Sequence, residues 1–389
     1  MVKQVANQQE KIPWWHNRIV INVLGQLAVL AIVIAIVIFL GNNLVNNLQR
    51  LGLNFGFEFL SRTASFPIAN PIIPYSPTDP YAKAILVGLL NSLQVMFFGI
   101  ILATILGVIV GMGRLSDNWL VRQMSAIHIE TFRNTPLLLQ LFFWYFVVFL
   151  QLPKIDNPIA VGGKLFLTNR GLDIPWFQAT SQTWLALALI LAAIIVAIAL
   201  WKKRMAVIES GKSAVIWFNL FWLNAISAIL IFIFAIDWNI PQFDGTSITG
   251  GVNLSPEFAA LLIGLSIYTS AFIAEVVRAG IQSVSQGQWE AAKALGLKPI
   301  SVMQLIIFPQ ALRVMIPPLT SEFLNLAKNS SLAIAIGYKD IYSVSRTISE
   351  QASKSIEMLI IVMLTYLIIN LIISLMMNFL NSSVQIKER

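Results

Sequence analysis

Long apolar runs broken by short polar stretches occupy most of the chain between residues 19 and 380. A bilayer core of about 30 Å is crossed by a helix of roughly 20 mainly apolar residues. That length predicts spans over residues 19–40, 84–112, 132–151, 183–200, 215–236, 257–279, 312–332 and 357–380. The run over 84–112 is long enough to tilt or to project beyond the bilayer. The first run exceeds the roughly 7 to 15 residues of a signal-peptide core and lacks a clear small-residue cleavage site, so it reads as a retained anchor. The expected fold class is all-α, a polytopic membrane protein with about eight transmembrane helices.

Polar stretches divide these runs unevenly. Residues 1–83 hold the first anchor and a segment, 41–83, with Pro67, Pro71, Pro74, Pro77 and Pro80 in its second half. Repeated prolines remove amide donors and favour extended chain, so that segment is expected to be a linker outside the membrane. Residues 84–151 form a first block of spans and 257–389 a second, separated by 152–256, which carries two spans between outer segments containing Asn169-Arg170-Gly171 and Gly245, Gly250 and Gly251. Gly107 and Gly111 are a small pair one helical turn apart, suited to close helix packing.

One polar interruption has its own helix punctuation. Ser285 and Gln288 have capping-box spacing, Glu290 and Lys293 sit where the helix dipole favours them, Gly296 can end a helix in the left-handed conformation, and Pro299 suits the first position of another. Trp289, Ala292 and Leu295 recur every three residues as an apolar face. The prediction is a helix, a corner and a helix.

Composition agrees with the pattern. With 57% hydrophobic and 11% charged residues, the chain lies far from the roughly 25% charge of soluble domains. A net charge of +8 would suggest nucleic acid in a soluble protein, but here the charges follow the spans. With the amino terminus inside, sixteen Lys and Arg fall in inner segments and nine in outer ones, and Trp201-Lys202-Lys203-Arg204 is the strongest single vote. Both termini and the Glu290 loop are therefore expected in the cytoplasm. No cysteine is present, which excludes disulfides and thiolate metal sites; the two histidines, His16 and His128, lie near different membrane boundaries.

Glu290-Ala291-Ala292, Gly296 six residues after the Glu, Ile306 ten further on and then Pro309 resemble the EAA loop of ATP-binding-cassette importer permeases, with Phe308 where that family usually has Leu. Glu130-Thr131-Phe132-Arg133-Asn134-Thr135-Pro136-Leu137-Leu138-Leu139-Gln140 resembles the opening of a core helix in the polar amino-acid permeases, with Asn134 in place of Gly. Tyr268 to Ser283, and Gln310 through Pro317-Pro318 to Lys328, are similar to the same family. The added first helix, the outer linker, the inserted pair of spans and Leu254-Ser255-Pro256-Glu257-Phe258 look like its general L-amino-acid branch.

The resemblance implies a type I importer permease core in a bacterial inner membrane, with the coupling loop at 283–310. In it Glu290, Ala291, Ala292, Gly296, Ile306 and Pro309 would meet a cytoplasmic ATPase. The implied partners are ATP-binding cassette subunits, which would hold ATP and Mg, a second and distinct permease, and a periplasmic amino-acid-binding protein. This chain would need no cofactor and catalyse no reaction itself. The alternative is a secondary transporter or channel that works without ATP.

Candidate path residues follow from helical geometry. Glu322, Asn325, Lys328 and Asn329 share about a third of the seventh span's circumference. Ionisable groups at mid-membrane cost at least roughly 2.5 to 3.5 kcal/mol and face a wet cavity or a partner helix. Lys328 has the charge for a substrate carboxylate and Glu322 for an ammonium; the competing reading makes both of them ion-pair partners in helix packing. Gln140, Tyr268, Thr269 and Ser270 are further candidates. Glu275 with Arg278, and Glu130 with Arg133, have ion-pair spacing and read as gate or interfacial pairs. Ala206 to Ser213 fits a loose phosphate-loop pattern, but it lies in a short hinge between spans with no strand before it, so nucleotide binding is not expected there.

Overall fold

The computed structural model describes residues 18–50, 55–210 and 213–384. These fall into two units divided between Leu60 and Ser61. The first unit contains α1 (Arg18–Arg50), a helix whose described apolar side chains are exposed along its length. Such a surface suits lipid, and the helix outruns the expected 19–40 at its far end.

The second unit holds the remaining spans: α2 (Tyr81–Arg114), α5 (Ser181–Glu209), α6 (Val215–Phe234), α7 (Pro256–Gln282), a stretch over Pro299–Ile336, and α12 (Ser355–Val384). Between α2 and α5 lie α3 (Trp119–Asn134) and α4 (Leu137–Phe142), the latter continued as a π-helical turn through Phe149. They meet at 106°. Counting that bent pair as one span gives, among the described residues, up to eight helices able to cross a membrane. The break corrects the expected third span: residues 132–134 belong to α3, and the next helix starts only at Leu137. Pro136 is the cause, because it disfavours helical backbone in the residue before it, and Thr135 is extended at φ −105°, ψ 127°.

The core forms where α2 and α7 run side by side. A Cβ on Gly107 would lie 2.5 Å from Ile273, and one on Gly111 2.7 Å from the Ala274 carbonyl, so the two glycines allow this approach. Helix α10 (Phe308–Asn329) returns along the same bundle, placing Leu326 against Gly99. A short 3₁₀ segment, Ser330–Ile336, then leads to α11 (Ile341–Ala352), whose start packs on Gly88. One apolar cluster, including Ala103, Ile273, Val277, Ile307 and Ala311, fills the half near the 286–309 loop. Another, including Leu141, Phe258, Leu261, Leu265 and Ile336, fills the opposite half.

The end opposite that loop carries more structure than its Pro and Gly content predicts. Strands β1 (Ile159–Val161), β2 (Leu165–Thr168), β3 (Gly171–Ile174) and β8 (Val252–Leu254) form an antiparallel sheet in that order, with Leu172 opposite Leu254 and Asp173 opposite Asn253. Two small ladders, β4 (Trp176–Phe177) with β5 (Trp238–Asn239) and β6 (Gln242–Phe243) with β7 (Ile248–Thr249), adjoin them in sequence. Strands this short carry too few residues for a period of two to register.

The proline segment also departs from extended linker. Ala64, Phe66 and Ile68 are buried. The amides of Ala64 and Ser65 donate to the carbonyls of Asp79 and Pro77, and Tyr75 donates to the Phe66 carbonyl at 2.9 Å. The prolines remove donors, but those that remain find local partners. In the insertion, α5 and α6 pack on one another, with the Asn224 amide donating to the Ala193 carbonyl at 2.9 Å, while their outer faces stay apolar and exposed.

Candidate functional site

Two features built on α7 and α10 concentrate the polar chemistry. At one end α7 stops at Ser283 and is followed by α8 (Gln286–Ala294), a corner, and α9 (Pro299–Val302). Gly296 takes φ 69° and the Leu297 amide bonds back to the Ala292 carbonyl, the helix-ending geometry expected of the glycine. Pro299 opens α9. A π turn, Met303–Ile307, then joins α9 to α10, so the second arm of the corner runs directly into a membrane helix. Pro309 has no amide to give the preceding turn, and the wider π turn accommodates that loss.

Two local expectations need correction. Ser285 occupies the cap position but its hydroxyl makes no cap bond. Instead Gln288 accepts from the Gln310 side chain at 3.3 Å, linking α8 to the start of α10. Leu295 does not complete an apolar face: it sits past the end of α8 and is 77% exposed, and Ile300 of α9 is 67% exposed. Ala292, at 1%, is the root of the corner, packed with Val284, Val302 and Ile307. Glu290, Ala291 and Gly296 are exposed, while Ile306 and Pro309 are half-buried. The corner thus has a buried base and an apolar tip flanked by charge.

The second feature is a polar groove along α10, α7 and α3. Asn325 and Lys328 are exposed, and Glu322 and Asn329 half-buried, on one side of α10. Glu322 lies within electrostatic reach of Asn325, Arg133 and Tyr268. Arg133 stands over the Phe272 ring at 5.4 Å and 4.0 Å from Glu275. Glu275 is held by two nitrogens of Arg278 at 2.7 and 2.9 Å, and Arg278 also donates to Gln282 at 2.5 Å. Charges therefore alternate along the groove: Lys328, Glu322, Arg133, Glu275, Arg278. A groove of that kind presents acceptors and donors to a substrate bearing both signs.

Not every candidate lines it. Glu275 and Arg278 pair as expected, but Glu130 does not pair with Arg133: it accepts from Asn134 at 3.2 Å, while Arg133 turns across to α7. Helical spacing permits the first pairing; the groove's second carboxylate competes for it. Gln140 is buried and its amide donates to the carbonyls of Phe132 and Thr135, clamping the bend between α3 and α4. Thr269 and Ser270 are buried on the packed side of α7, with Ser270 2.9 Å from the His128 ring. Tyr268 is half-buried, its ring tilted against that of Phe272 at 5.0 Å. Phe272 carries no distinguishing signal in the sequence, because an aromatic in an apolar span has no pattern of its own. The first part of the phosphate-loop-like stretch, Ala206 to Glu209, is the end of α5; Gly211 and Lys212, like His16, lie outside the described residues.

Residues 99–386 match the family described as the binding-protein-dependent transport system inner membrane component. YhdX of Escherichia coli strain K12 is 44% identical over 379 residues, 94% of either chain. The general L-amino acid transport system permease protein AapQ of Rhizobium johnstonii is 40% identical, covering 94% of this chain and 92% of its own. The glutamate/glutamine/aspartate/asparagine transport system permease protein BztB of Rhodobacter capsulatus is 39% identical, covering 94% and 93%. Among solved structures, a chain of an amino acid ABC transporter with histidines aligns at 20% identity and TM-score 0.47, covering 78% of this chain and 95% of that one.

Proposed function

We infer that this chain, which belongs to the binding-protein-dependent transport system inner membrane component family, is the transmembrane permease subunit of an ATP-driven amino-acid importer. The observation that carries the reading is the corner at Leu295 to Ile300: an apolar tip left exposed between α8 and α9, rooted through Ala292 and continuous with the two helices that bear the polar groove. Exposed apolar side chains on a rooted, polar-rimmed projection mark a docking surface. An ATPase seated there would move α7 and α10 together, and the charged groove between them would open and close to alternate sides. A carrier that works without ATP has no use for such a socket.

In this reading the blocks 84–151 and 257–389 are the permease core, 1–83 an anchor with an outer segment, and 152–256 an insertion. Both termini and the Glu290 loop lie in the cytoplasm. ATP-binding cassette subunits hold ATP and Mg below the corner, a second and related permease completes the path, and a periplasmic amino-acid-binding protein delivers substrate. Support for amino acids as cargo comes from the names of the relatives and from the paired charges of the groove.

The test exploits the absence of cysteine. Leu295→Cys and Ile300→Cys should crosslink to an ATP-binding cassette subunit in native membranes, and Glu290→Lys should abolish uptake while the chain still inserts. Failure of both positions to crosslink, together with full uptake by the Glu290→Lys variant, would refute the coupling role.

A further inference from the structure

The hairpin of α5 and α6 is the least covered part of the second unit. α6 buries no residue, and exposed apolar side chains run along both helices. Its outer end is fixed: Thr180 donates to the Asp237 carboxylate, the Asp237 amide donates to the Thr183 hydroxyl at 3.2 Å, and β4 pairs with β5 beside them. At a rise of about 1.5 Å per residue, Lys202 to Arg204 stand roughly 30 Å along α5 from Thr183, the thickness of a hydrocarbon core. That places them at the depth of lipid headgroups.

The basic cluster there rests on aromatic rings. Arg204 lies over two of them, Trp201 at 4.8 Å and Phe218 at 4.7 Å, and Lys203 lies over Trp217 at 4.3 Å. Trp201 in turn meets Phe221 at 5.6 Å, and Phe221 meets Trp222 at 5.8 Å, so rings from both helices join in one platform. Lys202 and Lys203 are exposed and Arg204 is half-buried. Among the described residues none of the three has a carboxylate within ion-pair distance. Ring faces orient these charges but do not neutralise them.

We propose that this cluster binds the headgroup of an anionic phospholipid. Phosphate is the matching acceptor: a guanidinium can meet two of its oxygens in one plane while its face rests on aromatic rings, and the two lysines add point charges. The surroundings favour a lipid over a free anion. The exposed apolar surface of α5 and α6 adjoins the cluster and can receive acyl chains, and Trp201 and Trp222 are exposed rings of the kind that settle at a membrane interface. Basic pockets between transmembrane helices hold anionic headgroups by this combination. The bound lipid holds the inner end of the hairpin, as the Thr180 and Asp237 network holds its outer end.

The test uses the chain assembled with its partner subunits in nanodiscs, with a donor dye on Ser213→Cys, an exposed position just before α6 in a chain without native cysteine. Phosphatidylglycerol and phosphatidylcholine, each carrying an acceptor dye on an acyl chain, are compared. Phosphatidylglycerol should reach half-maximal energy transfer at about tenfold lower mole fraction. Replacing Lys202, Lys203 and Arg204 together by Gln should erase that difference while membrane yield and melting temperature stay unchanged. Arg204→Lys, which keeps the charge and gives up the planar fork, should lose about threefold of the preference. Equal transfer from both lipids in the parent, a preference that survives the triple replacement, or an unchanged preference in Arg204→Lys would overturn the headgroup site. Two further outcomes would also overturn it: displacement of the lipid by inorganic phosphate, which assigns the cluster to a free anion, and a preference seen in the isolated chain but lost in the assembly, which assigns it to an acidic partner protein.

Discussion

Replacing Gln140 with Leu separates a structural clamp from a path residue. The Gln140 amide donates to the Phe132 carbonyl at 3.0 Å and to the Thr135 carbonyl at 2.9 Å, on the near side of the 106° bend, while its own side-chain oxygen is buried without a partner among the described residues. Leucine keeps the bulk and removes both bonds. An intramolecular hydrogen bond contributes about 0.5 to 1.5 kcal/mol net, and a buried carbonyl left unpaired costs about 1 to 3 kcal/mol. Eliminating the unpaired oxygen returns part of that. The balance is a loss on the order of 2 kcal/mol, which for a chain of this size lowers the melting temperature by roughly 2 to 3 °C. Thermal unfolding of the complex in detergent reads the shift, and uptake well below the transition reads transport. A clear drop in melting temperature with uptake retained fits the clamp. An unchanged melting temperature with uptake abolished would refute it and return Gln140 to the path.

Other outcomes follow from the same packing and charges. Gly107→Val should prevent assembly of the α2–α7 pair, because even the first side-chain carbon would lie 2.5 Å from Ile273, while Gly25→Val, at a position with open space around it, should assemble normally; membrane yield and melting temperature measure both. Glu275→Gln should release Arg278 and Arg133 together and lower uptake several-fold, and the exchanged pair Glu275→Arg with Arg278→Glu should restore part of it; no loss in the single variant would remove the pair from the gate. Asp340 lies beyond the span that ends at Ile336 and outside the membrane-crossing segments, where burial pushes its carboxyl up to about 7. A group with a raised folded pKa favours the folded state fully below its unfolded value near 4 and loses that contribution as pH rises through 7. The parent should therefore melt lower at pH 8 than at pH 5, and Asp340→Asn, which can keep the cap bond to the Ser343 amide, should flatten that slope; parallel curves would exclude ionisation of Asp340 as the cause.

The sequence by itself determined the membrane helices and the corner. Long apolar runs have one low-energy solution in a bilayer, because each backbone polar group must be bonded within its own segment. The corner was equally local: Gly296 and Pro299 act through their own backbone limits, and both stand where their chemistry put them. What only tertiary structure decided was partnership. Arg133 could have met Glu130 on its own helix, yet it turns to Glu275 across the bundle. Gln140 and Ser270 share the polarity of groove residues, but the bend and His128 consume their hydrogen bonds. Leu295 matched a period of three until the helix stopped one residue short of it. Backbone preferences and hydrophobic periods act over a few residues, so they show in the chain itself; a side chain's partner depends on which helices come to lie beside it.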